Sequence, residues 1–136
     1  MSHWRELAAI DRHIATILPA RVTFRETDPL YTVDLSDPTA PEVLGELHIN
    51  GYSAYLHPID ETHLIGIGQD ATDQGQTLGT QVSIFDVSDL SNPVRTHQYT
   101  LAEGYSEAEY DHHAFLYWAP ESLAVFPMTV WGWEDN

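Results

Sequence analysis

The sequence predicts an all-β fold of about two four-stranded, β-propeller-like blades, preceded by an N-terminal α-helix. Two observations support this prediction. After Pro19 the chain consists of short runs rich in Val, Ile, Thr, Phe and Tyr, separated by Asp, Pro, Gly and Asn, which is typical of strands joined by turns. One of these strand-and-turn segments also recurs about 50 residues later, which is the size of one propeller blade.

The N-terminal helix is predicted from apolar spacing. Leu7, Ile10, Ile14 and Ile17 recur at helical intervals between Trp4 and Leu18, where Ser2 offers an N-cap and Pro19 a stop. Such a stripe packs on its own domain or forms a short seam with another copy of the chain.

Nine strands are predicted after the helix. They are Arg21–Glu26, Leu30–Asp34, Val43–Ile49, Ser53–Pro58, His63–Gln69, Gln81–Val87, Val94–Leu101, His113–Trp118 and Leu123–Val130.

An internal repeat organises these strands. The segment Leu30–Ile49 aligns with Val82–Leu101, and the aligned residues include the pairs Asp34/Asp86, Ser36/Ser88, Asp37/Asp89 and Pro41/Pro93. Each copy precedes a Gly-Tyr-Ser element and a Tyr-x-His element, which end at His57 and His112. Asp37 and Asp89 are expected to fold their turns through side-chain to backbone hydrogen bonds.

With strands lettered A to D from axis to rim, residues 20–136 are expected to run B-C-D, A-B-C-D, A-B after a helical segment at residues 1–19. A propeller ring closes with about four to eight blades, so two blades do not form one. We therefore expect identical chains to complete the ring as a dimer or trimer. A two-sheet body left from an excised or decayed gene, or a sandwich instead of a propeller, is the alternative.

Several motifs resemble one uncharacterised protein family. They are the segment from Val22 to Pro38, Leu44-Gly-Glu-Leu-His-Ile with the following Gly-Tyr-Ser, His63-Leu-Ile-Gly-Ile-Gly, and Tyr105-Ser-Glu-Ala-Glu-Tyr-Asp-His-His-Ala-Phe. The family consists of secreted bacterial and archaeal proteins with a C-terminal β-propeller domain. The resemblance covers Val22 to Met128 and implies a propeller and export, with no established reaction. The chain departs from the family at both ends, where members have an export signal and further blades.

Charge excludes several classes of partner. Five Lys and Arg residues stand against 21 Asp and Glu, which gives a net charge of −16, so neither nucleic acid nor an anionic membrane is an expected partner. A high content of Asp and Glu without any lysine also resembles the surface composition of proteins from salt-rich environments. The charged N-terminus lacks the apolar core of a signal peptide, which predicts a cytoplasmic chain or a fragment.

Histidines and carboxylates are the potential metal ligands, because the chain has no cysteine. If the repeated histidines face a central channel, His57 and His112, with His113 and Asp111, would bind a divalent cation such as Zn²⁺. The alternative is that these histidines hold the inner hairpins through hydrogen bonds.

A second cation site is predicted at Asp70 and Asp73, whose spacing beside Gly75 suits an oxygen-ligated ion such as Ca²⁺. An ordinary Asp/Gly hairpin turn is the alternative. Separately, four tryptophans and seven tyrosines offer an aromatic floor for a small molecule, a peptide or a carbohydrate.

Catalytic motifs are missing from the sequence. It has no Gly-x-Ser-x-Gly, no His-Glu-x-x-His and no glycine-rich phosphate loop. The sequence therefore favours a non-enzymatic binding or scaffold module, with a metal-dependent, hydrolase-type channel site as the alternative.

Overall fold

Two four-stranded antiparallel sheets follow one another along the chain in this computed structural model. The structure describes residues 6–10, 13–17 and 29–132. No helix in these ranges is long and apolar enough to span a membrane.

The first sheet is a meander in which each strand pairs with the next. Its strands are β1 (Glu6–Ile10), β2 (His13–Ile17), β3 (Leu30–Asp34) and β4 (Glu42–Leu47). The register of β3 and β4 shifts between Thr32 and Val33.

The predicted N-terminal helix is wrong over the described part of its range, where both segments are strands. Ile14, Thr16 and Ile17 are β-branched residues suited to strands, and Ile14 pairs with Val33 of β3 across the sheet. Backbone pairing with β3 thus overrides the helical spacing of the apolar residues. Because β1 and β2 join it, the first sheet has four strands instead of the three predicted. The predicted strand Arg21–Glu26 lies outside the described residues.

The second sheet has the same topology. Its strands are β5 (Tyr52–Pro58), β6 (His63–Ala71), β7 (Thr77–Asp86) and β8 (Val94–Ala102). Five consecutive residues of β6, from Leu64 to Gly68, are buried. A strand buried on alternate residues has one covered face, so continuous burial shows that both faces of this sheet are packed.

A third, smaller unit completes the described part of the chain. It contains β9 (Gly104–Tyr105), β10 (Leu116–Trp118), β11 (Leu123–Val125) and β12 (Thr129–Val130). Strand β10 pairs with β11, and β9 pairs with β12. Three 3₁₀ helices lie within this unit, at Glu107–Glu109, His112–Ala114 and Ala119–Glu121. The predicted strands His113–Trp118 and Leu123–Val130 are therefore shorter than expected.

Two apolar cores join the three units. The first core lies between the first and second sheets and contains Leu30, Ile49, Leu56, Leu64, Phe85 and Val87. The second lies between the second sheet and the third unit and is built around Ile65, Ile67, Ala108 and Phe115. Successive sheets therefore pack face to face, as the blades of a propeller do, and the predicted all-β, propeller-like fold is confirmed.

The repeated turns have the predicted hydrogen bonds. Asp37 Oδ1 accepts from the Thr39 backbone N–H at 3.0 Å, and Asp89 Oδ1 accepts from that of Ser91 at 3.0 Å. Each repeat copy thus forms a β-hairpin between the third and fourth strands of its sheet, β3–β4 and β7–β8. The repeated sequence segment therefore corresponds to the same type of hairpin in both sheets.

Candidate functional site

The predicted metal ligands of the third unit lie in residues 106–115, which connect β9 to β10. Because β9 pairs with β12 and β10 pairs with β11, the opposite connection is residues 126–128, which join β11 to β12. Residues 106–115 are the longer of the two connections and form an insertion, which contains two of the 3₁₀ helices.

The insertion is fixed by a capping box. Ser106 is fully buried, and its Oγ accepts from the Ala108 N–H at 3.2 Å and donates to the Pro127 carbonyl at 2.7 Å. Glu109 closes the box by accepting from the Ser106 N–H at 3.0 Å. The serine therefore holds the start of the insertion against the opposite strand.

Glu109 also ties the insertion to the second sheet. Its Oε1 accepts from Gln69 Nε2 at 2.7 Å and from Thr80 Oγ1 at 3.2 Å, in addition to the Ser106 N–H. One carboxylate oxygen thus joins β6, β7 and the insertion. The Ser-x-x-Glu pattern from Ser106 to Glu109 is a capping-box signal in the sequence, whereas the contacts of Glu109 with β6 and β7 depend on the packing of distant strands.

Asp111, His112 and His113 form an exposed group at the second 3₁₀ helix. One ligand atom from each lies within 4.8 Å of the others, and no other group of three His, Asp or Glu residues in the described ranges meets this condition. His113 Nδ1 is 3.1 Å from Asp111 Oδ1, and the two imidazole rings have centroids 4.1 Å apart.

The electrostatics of this group suit a cation. Hydrogen bonds from the backbone and side chain of His113 hold the pKa of Asp111 below its ordinary value, so the carboxylate remains charged. Two imidazoles and one carboxylate are ligands that Zn²⁺ and Cu²⁺ accept. The structure thus brings together three of the four predicted ligands.

His57 is not part of that group. It lies on β5, where its Nδ1 is 3.0 Å from the Tyr55 hydroxyl oxygen. Its ring lies 5.1 Å from that of Phe115 and 6.0 Å from that of Tyr117, measured between centroids. Burial lowers the pKa of His57, which favours the neutral imidazole.

The two Tyr-x-His elements do not occupy equivalent positions, so this part of the predicted repeat is wrong. The last pair of the β5–β6 ladder is Pro58 with Leu64, and the last pair of the β10–β11 ladder is Trp118 with Leu123. When these ends are matched, His57 corresponds to Tyr117, while His112 lies in the insertion.

The preceding glycines are equivalent, in contrast. A Cβ added to Gly51 or to Gly104 would meet the carbonyl oxygen of the neighbouring strand, at Gln69 or Thr129 respectively. The insertion therefore begins only after the Gly-Tyr-Ser element.

Asp70 and Asp73 are each engaged in protein hydrogen bonds. Asp70 Oδ2 accepts from Thr100 Oγ1 at 2.8 Å and from Gln98 Nε2 at 3.3 Å. Asp73 Oδ1 accepts from Asn50 Nδ2 at 2.7 Å. Both carboxylates thus bind groups on neighbouring strands or loops.

A cleft of about 470 Å³ lies beside the insertion. Its lining includes the aromatic residues Tyr52, Tyr105 and Trp131, the carboxylates of Glu103 and Glu109, and the residues Gln69, Thr77 and Leu78. A second cavity, of about 430 Å³, shares Tyr52 and Glu109 and reaches His112. The sequence shows these aromatic residues, but which of them share a cleft depends on the pairing of β9 with β12, which brings Tyr105 and Trp131 together.

Comparison with known proteins agrees with this architecture. A family model described as a beta propeller domain matches residues 21–136. The chain belongs to the beta propeller domain family. No solved structure matches this propeller chain.

Two archaeal relatives are similar to this propeller chain. An uncharacterised protein of Archaeoglobus fulgidus is 42% identical over 106 residues, which cover 78% of this chain and 16% of the relative. An uncharacterised protein of Methanocaldococcus jannaschii is 50% identical over 96 residues, which cover 71% of this chain and 15% of the relative. The chain therefore corresponds to about a sixth of the length of these relatives. Export remains a prediction from the resemblance.

Proposed function

We propose that this propeller chain is a non-enzymatic binding or scaffold module that completes a propeller-like ring by associating with identical chains. One observation carries the proposal: within the described part of the chain, the β10–β11 hairpin has an apolar face whose four side chains are about half exposed.

The two faces of this hairpin differ sharply. Tyr117 and its cross-strand partner Ala124 pack against the core shared with the second sheet. On the opposite face, Leu116 pairs with Val125 and Trp118 pairs with Leu123. These four side chains are exposed by 57%, 49%, 54% and 51% respectively. They are called the outer face here.

The outer face continues a packing pattern already present in the chain. The second sheet is covered on both sides, by the first sheet and by the third unit. A sheet packed on the outer face would extend this stack by one blade and remove four large apolar side chains from water. A second copy of the chain offers sheets that already pack in this way.

Charge supports this placement of the contact. The chain has a net charge of −16, so two copies repel each other unless their acidic groups lie away from the contact. All four side chains of the outer face are uncharged. Salt screens the remaining repulsion, so association is expected to strengthen as ionic strength rises.

The experiment is a light-scattering mass measurement on the variant Trp118→Glu. We expect it to shift the protein towards monomer, because a carboxylate on the outer face must be desolvated in the contact. Tyr99→Glu is the matched control, since Tyr99 is 65% exposed on β8, outside the outer face. Circular dichroism checks that both variants are folded. An unchanged mass for Trp118→Glu would contradict the proposal.

Metal binding is a second candidate function, and the group Asp111, His112 and His113 supports it. In the metal-dependent, hydrolase-type alternative these residues would be its ligands. We expect Zn²⁺ titrated into untagged protein to bind, and His113→Ala to weaken this binding. His97→Ala is the control, because His97 is also exposed but lies on β8. Equal Zn²⁺ affinity of the two variants would reject this site.

A further inference from the structure

The cleft of about 470 Å³ next to β9 combines two features that point to one class of ligand. Its walls carry aromatic rings, and its polar groups include carboxylates. No lysine, arginine or histidine is among the described residues that line it. The cleft is therefore both apolar and negatively charged.

Tyr105 and Trp131 form the aromatic wall. Their ring centroids lie 5.4 Å apart with the planes tilted by 37°, and Trp131 is 57% exposed. The pair is held by the backbone, because the Trp131 N–H donates to the Glu103 carbonyl at 2.8 Å. The faces of such rings carry negative potential, which attracts cations.

Glu103 is held in an unusual conformation at the edge of the cleft. Its φ is 60°, in the left-handed region that non-glycine residues rarely adopt. Two backbone hydrogen bonds fix it there, one from its own N–H to the Leu78 carbonyl at 3.4 Å and one from Trp131. Strain of this kind concentrates at ligand sites.

The second carboxylate is held more firmly. Glu109 lines the same cleft, where Gln69, Thr80 and the Ser106 backbone fix its Oε1. Glu103 and Glu109 thus place two negative charges beside the aromatic wall. An anionic ligand would be repelled by this pair, whereas a cation would be attracted to both carboxylates.

We propose that this cleft binds an organic cation of the alkylated ammonium class. The cation would stack on Trp131 and Tyr105, while Glu103 and Glu109 balance its charge. The proposal names a ligand class for the binding role proposed above. It does not depend on the oligomeric mass, so the two can fail separately.

The test is isothermal titration calorimetry with choline. Its neutral isostere 3,3-dimethylbutan-1-ol and methyl glucoside are titrated in parallel. We expect choline to bind more tightly than the isostere, with an affinity that falls as NaCl is raised.

Three variants locate the binding. Trp131→Ala should weaken choline binding about tenfold, and Glu103→Gln should weaken it several-fold without affecting the isostere. Tyr99→Ala removes an exposed ring from β8, outside the cleft, and should have no effect. Circular dichroism and the unchanged mass of each variant confirm folding.

Three outcomes would overturn the proposal. Equal affinity for choline and its isostere would show an apolar cleft without cation selectivity. Binding of methyl glucoside alone would assign the cleft to carbohydrate. Absence of choline binding, or binding unaffected by Trp131→Ala, would reject the site.

Discussion

The imidazole ring of His57 packs against the phenyl ring of Phe115, with centroids 5.1 Å apart. The histidine belongs to β5 of the second sheet, and the phenylalanine directly precedes β10 of the third unit. Phe115 also contacts Tyr55 at 5.3 Å and Phe126 at 6.4 Å between centroids. A histidine predicted as a metal ligand thus lies at the contact between two successive blades.

The first prediction is a pH dependence of stability that originates at His57. Burial lowers its pKa below the ordinary value of 6.5, so the unfolded chain takes up a proton at this residue before the folded chain does. The neutral ring contributes stability that is present above pH 6.5 and is lost as the pH falls through the lowered pKa. We expect urea unfolding to show a falling free energy between about pH 7 and about pH 5.

His57→Phe should remove this part of the pH dependence, because phenylalanine keeps the aromatic contact and does not titrate. His97→Phe is the control at an exposed histidine and should retain the dependence. If both variants follow the unmodified protein over this pH range, His57 is not the group responsible.

The second prediction concerns Gly45 on β4. A Cβ at this position would lie well inside van der Waals contact with the Leu90 carbonyl oxygen, and 2.7 Å from Pro93 Cδ. The neighbouring Thr32 hydroxyl donates a hydrogen bond to the same carbonyl. Gly45→Ala should therefore destabilise the protein by about 1–3 kcal/mol by forcing the first two blades apart. Denaturant unfolding measures the change.

Val43→Ala is the control for this substitution, because Val43 is exposed on the same strand. It should change the free energy of unfolding by less than about 1 kcal/mol. Equal effects of the two variants would contradict the close approach at Gly45.

The third prediction compares two buried serines. Ser106 Oγ has two hydrogen-bond partners, the Ala108 N–H and the Pro127 carbonyl, whereas Ser83 Oγ has none among the described residues. Ser106→Ala should cost about 1–2 kcal/mol through loss of the cap. Ser83→Ala should be neutral or stabilising, because it removes a buried hydroxyl without a partner. Thermal unfolding of both variants measures the difference, and a larger loss for Ser83→Ala would contradict it.

The sequence was informative where local chemistry determines structure. The Asp-rich turns at Asp37 and Asp89 depend on hydrogen bonds within a few residues, so their repetition predicted two equivalent hairpins correctly. The N-terminal segment was mispredicted because its apolar spacing also fits a helix. Its actual state depends on pairing with β3, which lies more than ten residues further along the chain.

The candidate sites were harder to predict for a related reason. The motif ending at His112 matches the motif ending at His57 in sequence. In the structure, however, His112 lies in the insertion, and Tyr117 occupies the strand position on β10 that corresponds to His57 on β5. Only strand register distinguishes these alternatives. The aromatic pair of Tyr105 and Trp131 depends likewise on the pairing of β9 with β12.

The most direct test of the proposed association is the mass of the unmodified chain in solution. Sedimentation equilibrium over a range of protein concentrations, at low and high NaCl, measures it. We expect a mass of two or three times 15.3 kDa, with a larger associated fraction at high salt because the charge of −16 is then screened. A mass of 15.3 kDa at every concentration and salt level would contradict it.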